Sequence, residues 1–141
     1  GGNRAYYLPK QDTIQLPRMQ DFISSEHYYS TYFHELSHAT GHVSRLNRFS
    51  DDSFVNRETY AQEELIAEFS AAFLCGECGI DNTHDQSAAY IAGWKKAIKK
   101  NPNAVVEAIS AAQKATDLIL GHVFQSDDEL MPVNQPAEVT A

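Results

Sequence analysis

Apolar positions follow two kinds of spacing along this chain of 141 residues. Two short runs near the start, residues 5–8 and 13–16, are rich in strand-forming side chains and are separated by Pro-Lys-Gln-Asp, which predicts a β-hairpin. Longer stretches with helical spacing follow, at about residues 24–40, 56–79, 85–100 and 103–123. The pattern therefore predicts a mainly α fold (α+β), with about four helices and a short N-terminal β-hairpin.

The ends of the predicted helices carry capping and stop signals. Ser24 or Ser25 can cap the first helix and Gly41 can end it, while Gly76 with Gly79 can end the second. The third and fourth helices are each expected to bury one apolar stripe. The stripe residues are Tyr90, Ile91, Trp94, Ala97 and Ile98 in the third helix, and Val105, Ile109, Ala112, Thr116, Ile119 and Val123 in the fourth.

The length fits one domain with a single hydrophobic core. We expect this domain at residues 1–125, followed by an acidic, flexible tail at residues 126–141. Residues 42–55 lack periodicity and predict a loop. Its two arginines, Arg45 and Arg48, are expected to pair with nearby surface acids rather than with a substrate. Those acids are Asp51 and Asp52.

Composition narrows the classes of function. The chain has no membrane-spanning run of about 18 apolar residues and no signal peptide at its start, so we expect a cytoplasmic domain without a membrane partner. A formal net charge of −8 opposes binding to nucleic-acid phosphates; an acidic surface either mimics DNA or aids solubility, which is commoner. Cys75 and Cys78 are too few for a disulfide scaffold, and we expect Cys75 in the core and Cys78 near a helix end.

A His-Glu-x-x-His motif lies within the first predicted helix, at His34, Glu35 and His38. Residues four apart share one face of a helix, so both imidazoles can bind one zinc ion. Glu35 lies beside that face, where a carboxylate can take a proton from a zinc-bound water and pass it to a leaving amine. The motif therefore predicts a zinc-dependent peptidase, provided that the chain supplies a third ligand.

Two classes of zinc peptidase differ in that ligand. The metzincin pattern H-E-x-x-H-x-x-G-x-x-H matches at Gly41 but has Ser44 in the last position, and His42 comes two residues too early. The gluzincin pattern takes a glutamate from a later helix. Glu64 fits that role better than its neighbour Glu63, which is expected to face solvent, and Glu68 can accept the distal N–H of His34 or His38 as a second-shell partner.

The sequence offers less direct signals for the other parts of a peptidase site. Tyr60, one turn before Glu64, is a candidate to stabilise an oxyanion, with Arg57 as a further option and core packing as the alternative role of Tyr60. The predicted hairpin is the only candidate to hold a substrate backbone as an added strand, although it could also simply cap the core.

Four segments of the chain together resemble the zincin-like metallopeptidase domain of ArdC-type antirestriction proteins. They are YYSTYFHELSHATGH, RLNR, YAQEELIAEFSAAFLC and SAAYIAGW, and the resemblance covers most of residues 5–121. It implies a zincin-like domain with one Zn²⁺ ion bound by His34, His38 and Glu64, and Glu35 as general base. It also implies a bacterial cytoplasmic protein of a mobile element, expressed in or delivered to a recipient cell.

The resemblance leaves the activity open between two hypotheses. In the first, the domain cleaves a protein or peptide substrate, such as a component of a restriction system. In the second, it is a non-catalytic binding module with an acidic surface and a structural metal. DNA binding is expected only through an N-terminal domain that this chain lacks. A metal-dependent nuclease is a weaker third hypothesis, because clustered carboxylates for paired magnesium ions are missing.

Overall fold

The computed structural model describes residues 2–49, 56–81 and 84–122. Its helices are α1 (Ser25–Ala39), α2 (Arg57–Glu77), α3 (His84–Lys100) and α4 (Pro102–Leu120). They are preceded by the strands β1 (Tyr6–Leu8) and β2 (Thr13–Gln15) and by a short 3-10 helix (Met19–Asp21). The predicted fold class, mainly α with an N-terminal hairpin, is confirmed. None of the helices in these three ranges is long and apolar enough to cross a membrane.

The hairpin is held against the end of α1. Its strands pair antiparallel, with Tyr7 opposite Ile14, and its turn requires the left-handed backbone of Asp12, where φ is 50°. Asp12 binds both the hydroxyl of Tyr7, at 2.7 Å, and the guanidinium of Arg45. Arg45 Nε also donates to the carbonyl of Ala39 at 2.7 Å, so this one side chain joins the hairpin to the last turn of α1.

The arginine partners differ from the ones that the sequence suggested. Arg45 does pair with a surface acid, but that acid is Asp12, from a turn 33 residues earlier. Arg48 pairs with Glu63, which is buried. The suggested partners Asp51 and Asp52 lie outside the described residues. Pairings between distant segments depend on the tertiary fold, which local sequence does not reveal.

Helix α1 begins and ends at the predicted signals. Ser24 caps its first turn by accepting the N–H of His27 at 3.2 Å. Gly41 follows its end, and a Cβ atom there would lie only 2.7 Å from Cζ of Phe49. A side chain at this position would displace the Phe49 ring, because the following loop folds back over Gly41. Aromatic side chains then line one side of the helix, and they are Tyr28, Tyr29, Tyr32 and Phe33.

Helix α2 lies at the centre of the domain, between α1 and α4. Helices α2 and α4 are in contact, and five alanines of these two helices are at most 1% exposed. These are Ala67, Ala71, Ala108, Ala112 and Ala115. Ser70 and Thr116 share a hydrogen bond of 3.0 Å across this contact. At its end α2 carries Cys75, which is buried, and Cys78, which is exposed, as predicted.

The prediction that α3 and α4 each bury their whole apolar stripe is partly wrong. Ile91 and Ile98 of α3 are 48% and 49% exposed, and Ile109 of α4 is 40% exposed. Helix α3 packs through a narrower line of residues, chiefly Trp94, whose ring stacks on Phe69 with centroids 4.5 Å apart. Val123 and the predicted tail at residues 126–141 lie outside the described residues.

Candidate metal centre

Three side chains from α1 and α2 point at one position. The Nε2 atoms of His34 and His38 are 3.1 Å apart. Oε1 of Glu64 lies 3.2 Å from Nε2 of His38, and Oε2 of Glu64 lies 3.5 Å from Nε2 of His34. Ligand atoms bound about 2.1 Å from a tetrahedral zinc ion lie about 3.4 Å from one another. The three groups therefore form a triangle of the size that such an ion requires.

Helix geometry produces this triangle. His34 and His38 lie one turn apart on the same face of α1, with ring centroids 4.8 Å apart. Two contacts show that α2 runs antiparallel to α1. Cys75 lies beside Ser30 at one end of the helix pair, and Glu63 lies beside His38 at the other end. Glu64, in the second turn of α2, is thereby brought between the two histidines.

The charges of Glu63 and Glu64 would favour binding of a cation at this site. Burial raises the pKa of Glu64, but hydrogen bonds from His34 and His38 outweigh it and hold this pKa well below its usual range. Burial also lowers the pKa of His38, yet the neighbouring Glu63 and Glu64 raise it to about 9. Two carboxylates thus concentrate negative charge around the imidazoles, which a bound metal ion would neutralise.

Glu35 lies next to the triangle without belonging to it. The side chain follows His34 on α1 and is buried, with 8% of the residue exposed. Burial raises its pKa, while the nearby imidazoles of His34 and His38 oppose this effect. A carboxylate with a raised pKa is a stronger base than an exposed one, which suits a group that accepts a proton.

A cavity of about 390 Å³ opens onto these residues. Besides the triangle and Glu35, it is lined by residues 4–7, which include most of β1, and by Tyr60. Tyr60 is 48% exposed at the rim, and the charge of Glu64 is the main reason that the pKa of its hydroxyl is raised. A larger cavity of about 500 Å³ lies between the hairpin, α1 and the end of α4, but it contains none of the candidate ligands.

Glu63 is the acid that contacts a candidate ligand histidine. Its Oε1 lies 3.2 Å from Nδ1 of His38, and the residue is only 6% exposed. The expectation that Glu63 faces solvent is therefore wrong. Burial raises its pKa, but hydrogen bonds from His38 and Arg48 more than compensate, so the pKa of Glu63 is lowered and the carboxylate is ionised.

Glu68 does not make the contact that the sequence suggested. Its Oε2 accepts a hydrogen bond of 3.1 Å from Nε1 of Trp94 on α3. One turn along α2 displaces Glu68 from Glu64 toward α3, on the side of His34 rather than of His38. Nδ1 of His34 is buried and has no hydrogen-bond partner. Of the two acids, Glu63 is therefore the one that contacts Nδ1 of a candidate ligand histidine, His38.

The other candidates from the sequence lie apart from the centre. His42 contacts the hydroxyl of Ser44 at 2.8 Å in an exposed loop, so it supplies no metzincin-type ligand. Arg57 is exposed at the first position of α2 and does not line the cavity. Within the described ranges, the histidines and acids that could hold a metal are those of the triangle.

A helix that carries His-Glu-x-x-His is typical of the zincin class of domain, and a glutamate on a following antiparallel helix is typical of its gluzincin branch. In agreement, residues 1–112 match the sequence profile of the zincin-like metallopeptidase family, and the chain belongs to this family.

Curated relatives place the domain in longer proteins. A protein named DNA primase TraC from Escherichia coli is 44% identical over 119 residues, which cover 84% of this chain and 8% of that protein. The uncharacterised protein y4eC of Sinorhizobium fredii (strain NBRC 101917 / NGR234) is 34% identical over 128 residues, covering 90% of this chain and 41% of that protein.

Solved structures of the antirestriction protein ArdC from the R388 plasmid are similar to the fold. The Mn(II)-bound and metal-free forms match with TM-scores of 0.70 and 0.68, each at 45% identity over 84% of this chain. The match covers 44% and 43% of those chains. The chain thus spans less than half the length of each of these relatives.

Proposed function

We propose that this domain is a zinc-dependent peptidase with His34, His38 and Glu64 as metal ligands. The observation that carries the proposal is the convergence of His34, His38 and Glu64, whose ligand atoms lie within 4.8 Å of one another, with the buried Glu35 beside them. Two imidazoles and one carboxylate are a donor set typical of catalytic zinc, which keeps a fourth position for water. The Mn(II)-bound form of ArdC supports a metal-binding domain, and two imidazoles with one carboxylate favour zinc as the ion here.

Glu35 carries the proton in the proposed reaction. When bound, zinc would supply Lewis acidity, polarising the substrate carbonyl and acidifying a coordinated water. The Glu35 carboxylate then takes the proton from the attacking water and delivers it to the nitrogen of the leaving amine. Its burial suits both steps, because a raised pKa makes the carboxylate a better base and still allows the acid to release its proton.

The substrate is proposed to lie along β1. This strand pairs with β2 on one side only, and in the described part of the chain no strand pairs with its other side. Residues 4–7 line the same cavity as His34 and Glu35. An extended peptide could therefore add to β1 through backbone hydrogen bonds with its scissile bond near the metal ligands.

Tyr60 is proposed to stabilise the oxyanion that forms during hydrolysis. Its hydroxyl lies at the cavity rim beside Glu64. Replacing Tyr60→Phe should lower kcat about 100-fold with little change in KM, since a lost oxyanion donor costs about 10²- to 10³-fold. Steady-state hydrolysis of a quenched fluorescent peptide measures both constants. An unchanged kcat would assign Tyr60 to packing at the rim.

The longer protein is proposed to act against restriction in a bacterial cytoplasm. The similarity to ArdC, an antirestriction protein of the R388 plasmid, supports this role, with a restriction-system protein as the substrate. DNA contacts would come from a separate domain, because the formal charge of this chain is −8.

The proposal is tested on the purified chain with Zn²⁺ or Mn²⁺ added after exhaustive chelation. Elemental analysis should find about one ion per chain, and fluorescein-labelled casein should be cleaved only by the reloaded protein. A folded protein that binds no ion would overturn the metal site. An ion-loaded protein that cleaves neither casein nor a random peptide library would instead support the non-catalytic binding module.

A further inference from the structure

Arg48 lies outside the metal-binding motif but is connected to it through Glu63. Its Nε donates to Oε2 of Glu63 at 3.0 Å and its Nη2 donates to Oε1 at 2.8 Å, so the pair is bidentate. The side chains of Arg48 and Glu63 are only 13% and 7% exposed. Oε1 of Glu63 is also the atom that lies 3.2 Å from Nδ1 of His38.

The loop after α1 fixes Arg48 in place. Its backbone N–H donates to the carbonyl of Gly41 at 2.9 Å, which brings the chain back over the helix end. The guanidinium donates to the carbonyl of Ser37 and to the hydroxyl of Thr40, both at 2.8 Å. A cation at the C-terminal end of α1 is also favoured by the helix dipole. Arg48 is thus oriented by α1 itself, independently of Glu63.

A histidine that binds a metal needs one ring nitrogen without a hydrogen and the other ring nitrogen with one. Nε2 of His38 must be unprotonated to bind the ion, so Nδ1 must carry the hydrogen and donate it to an acceptor. Glu63 is that acceptor, but a buried carboxylate is costly unless its charge and its lone pairs are satisfied. Arg48 satisfies both and leaves Oε1 directed at His38.

We propose that Arg48 is a positioning residue, which holds Glu63 as the acceptor for Nδ1–H of His38 and so keeps Nε2 of His38 aimed at the metal. The inference rests on the proposed metal site. It assigns to Arg48 and Glu63 a role in metal affinity, beyond fastening the loop to α1. Removing such an outer partner of a ligand typically weakens metal binding by about 10- to 100-fold.

Arg45→Lys is a matched control for Arg48→Lys. Both arginines come from the same loop, and both donate to a carbonyl in the last turn of α1, Arg45 to Ala39 and Arg48 to Ser37. The side-chain partners of Arg45 are Asp12 and Tyr7, neither of which contacts a candidate ligand through a described hydrogen bond. Lysine keeps the charge in each case but cannot make the bidentate contact.

Zinc affinity of the folded variants, measured by competition with a chromophoric chelator, tests the inference. Arg48→Lys should bind zinc about 10- to 100-fold more weakly than wild type, and Arg45→Lys within about twofold. In zinc-loaded protein with ¹⁵N-labelled histidine, wild type should show a protected Nδ1–H signal from His38 that Arg48→Lys loses. If Arg48→Lys does not fold, Glu63→Leu, which packs the site without an acceptor, should show the same two losses.

The outcomes separate the inference from the metal site on which it rests. Wild-type affinity in folded Arg48→Lys or Glu63→Leu would overturn the inference alone, because the site would then bind zinc without this support. Equal losses in Arg45→Lys and Arg48→Lys would also overturn it, since any loosening of the loop would then suffice. A wild-type chain that binds no zinc would overturn the metal site and the inference together.

Discussion

Glu35→Gln is expected to abolish measurable peptide hydrolysis while the protein keeps its metal. Glutamine has nearly the shape of glutamate but cannot accept the proton of the attacking water. General acid–base catalysis contributes about 10²- to 10⁴-fold to a rate, so kcat should fall by at least that lower bound. Zinc content should stay at the wild-type level, because the candidate ligands are His34, His38 and Glu64. Hydrolysis of labelled casein and elemental analysis measure the two quantities on one sample.

Glu77→Gln serves as the control for the change of charge, because Glu77 is exposed at the far end of α2. It should keep wild-type activity. The comparison also separates the two hypotheses for the domain. Full activity in Glu35→Gln would remove Glu35 from the chemistry, and an antirestriction effect that survives this change would favour a binding module with a structural metal.

The helices and the convergence of the three candidate ligands could be predicted because most of their signals are local. Ser24 and Gly41 delimit α1, and the spacing of His34 and His38 places them on one helical face whatever the rest of the chain does. Glu64 required one further step, an antiparallel second helix, which the intervening loop length allows. Side chains within one helix turn of each other keep their relation in any tertiary fold.

The environment of Glu63 was missed, although the sequence holds a signal for it. Glu63 shares a helical face with Ile66, Ala67 and Ser70, at spacings of three, four and seven, and all of these are at most 7% exposed. A charged residue on that face needs a buried partner. Its partner, Arg48, could not be identified from sequence, because the loop conformation that aims it depends on contacts with the end of α1.

Glu64→Gln is expected to remove most of the metal affinity. The change deletes the only anionic member of the triangle while preserving its size, so the loss should exceed the roughly 10- to 100-fold effect of an outer partner. Metal binding also stabilises the folded state, by about 2.7 kcal/mol at a free zinc concentration of 100 times Kd. Thermal unfolding should therefore show a zinc-dependent rise in Tm for wild type that Glu64→Gln lacks at the same concentration.

Glu68→Gln is the matched control, one turn further along the same helix. The amide oxygen can still accept the hydrogen bond from Trp94, and the change removes the same charge as Glu64→Gln. The structure predicts a zinc-dependent rise in Tm close to that of wild type, since Glu68 contacts neither ligand histidine through a described hydrogen bond. A 10- to 100-fold loss of zinc affinity in Glu68→Gln would instead mean that Glu68 turns toward the unpaired Nδ1 of His34 when the metal binds.

Equal zinc affinity of Glu64→Gln and wild type would show that residues other than Glu64 hold the ion.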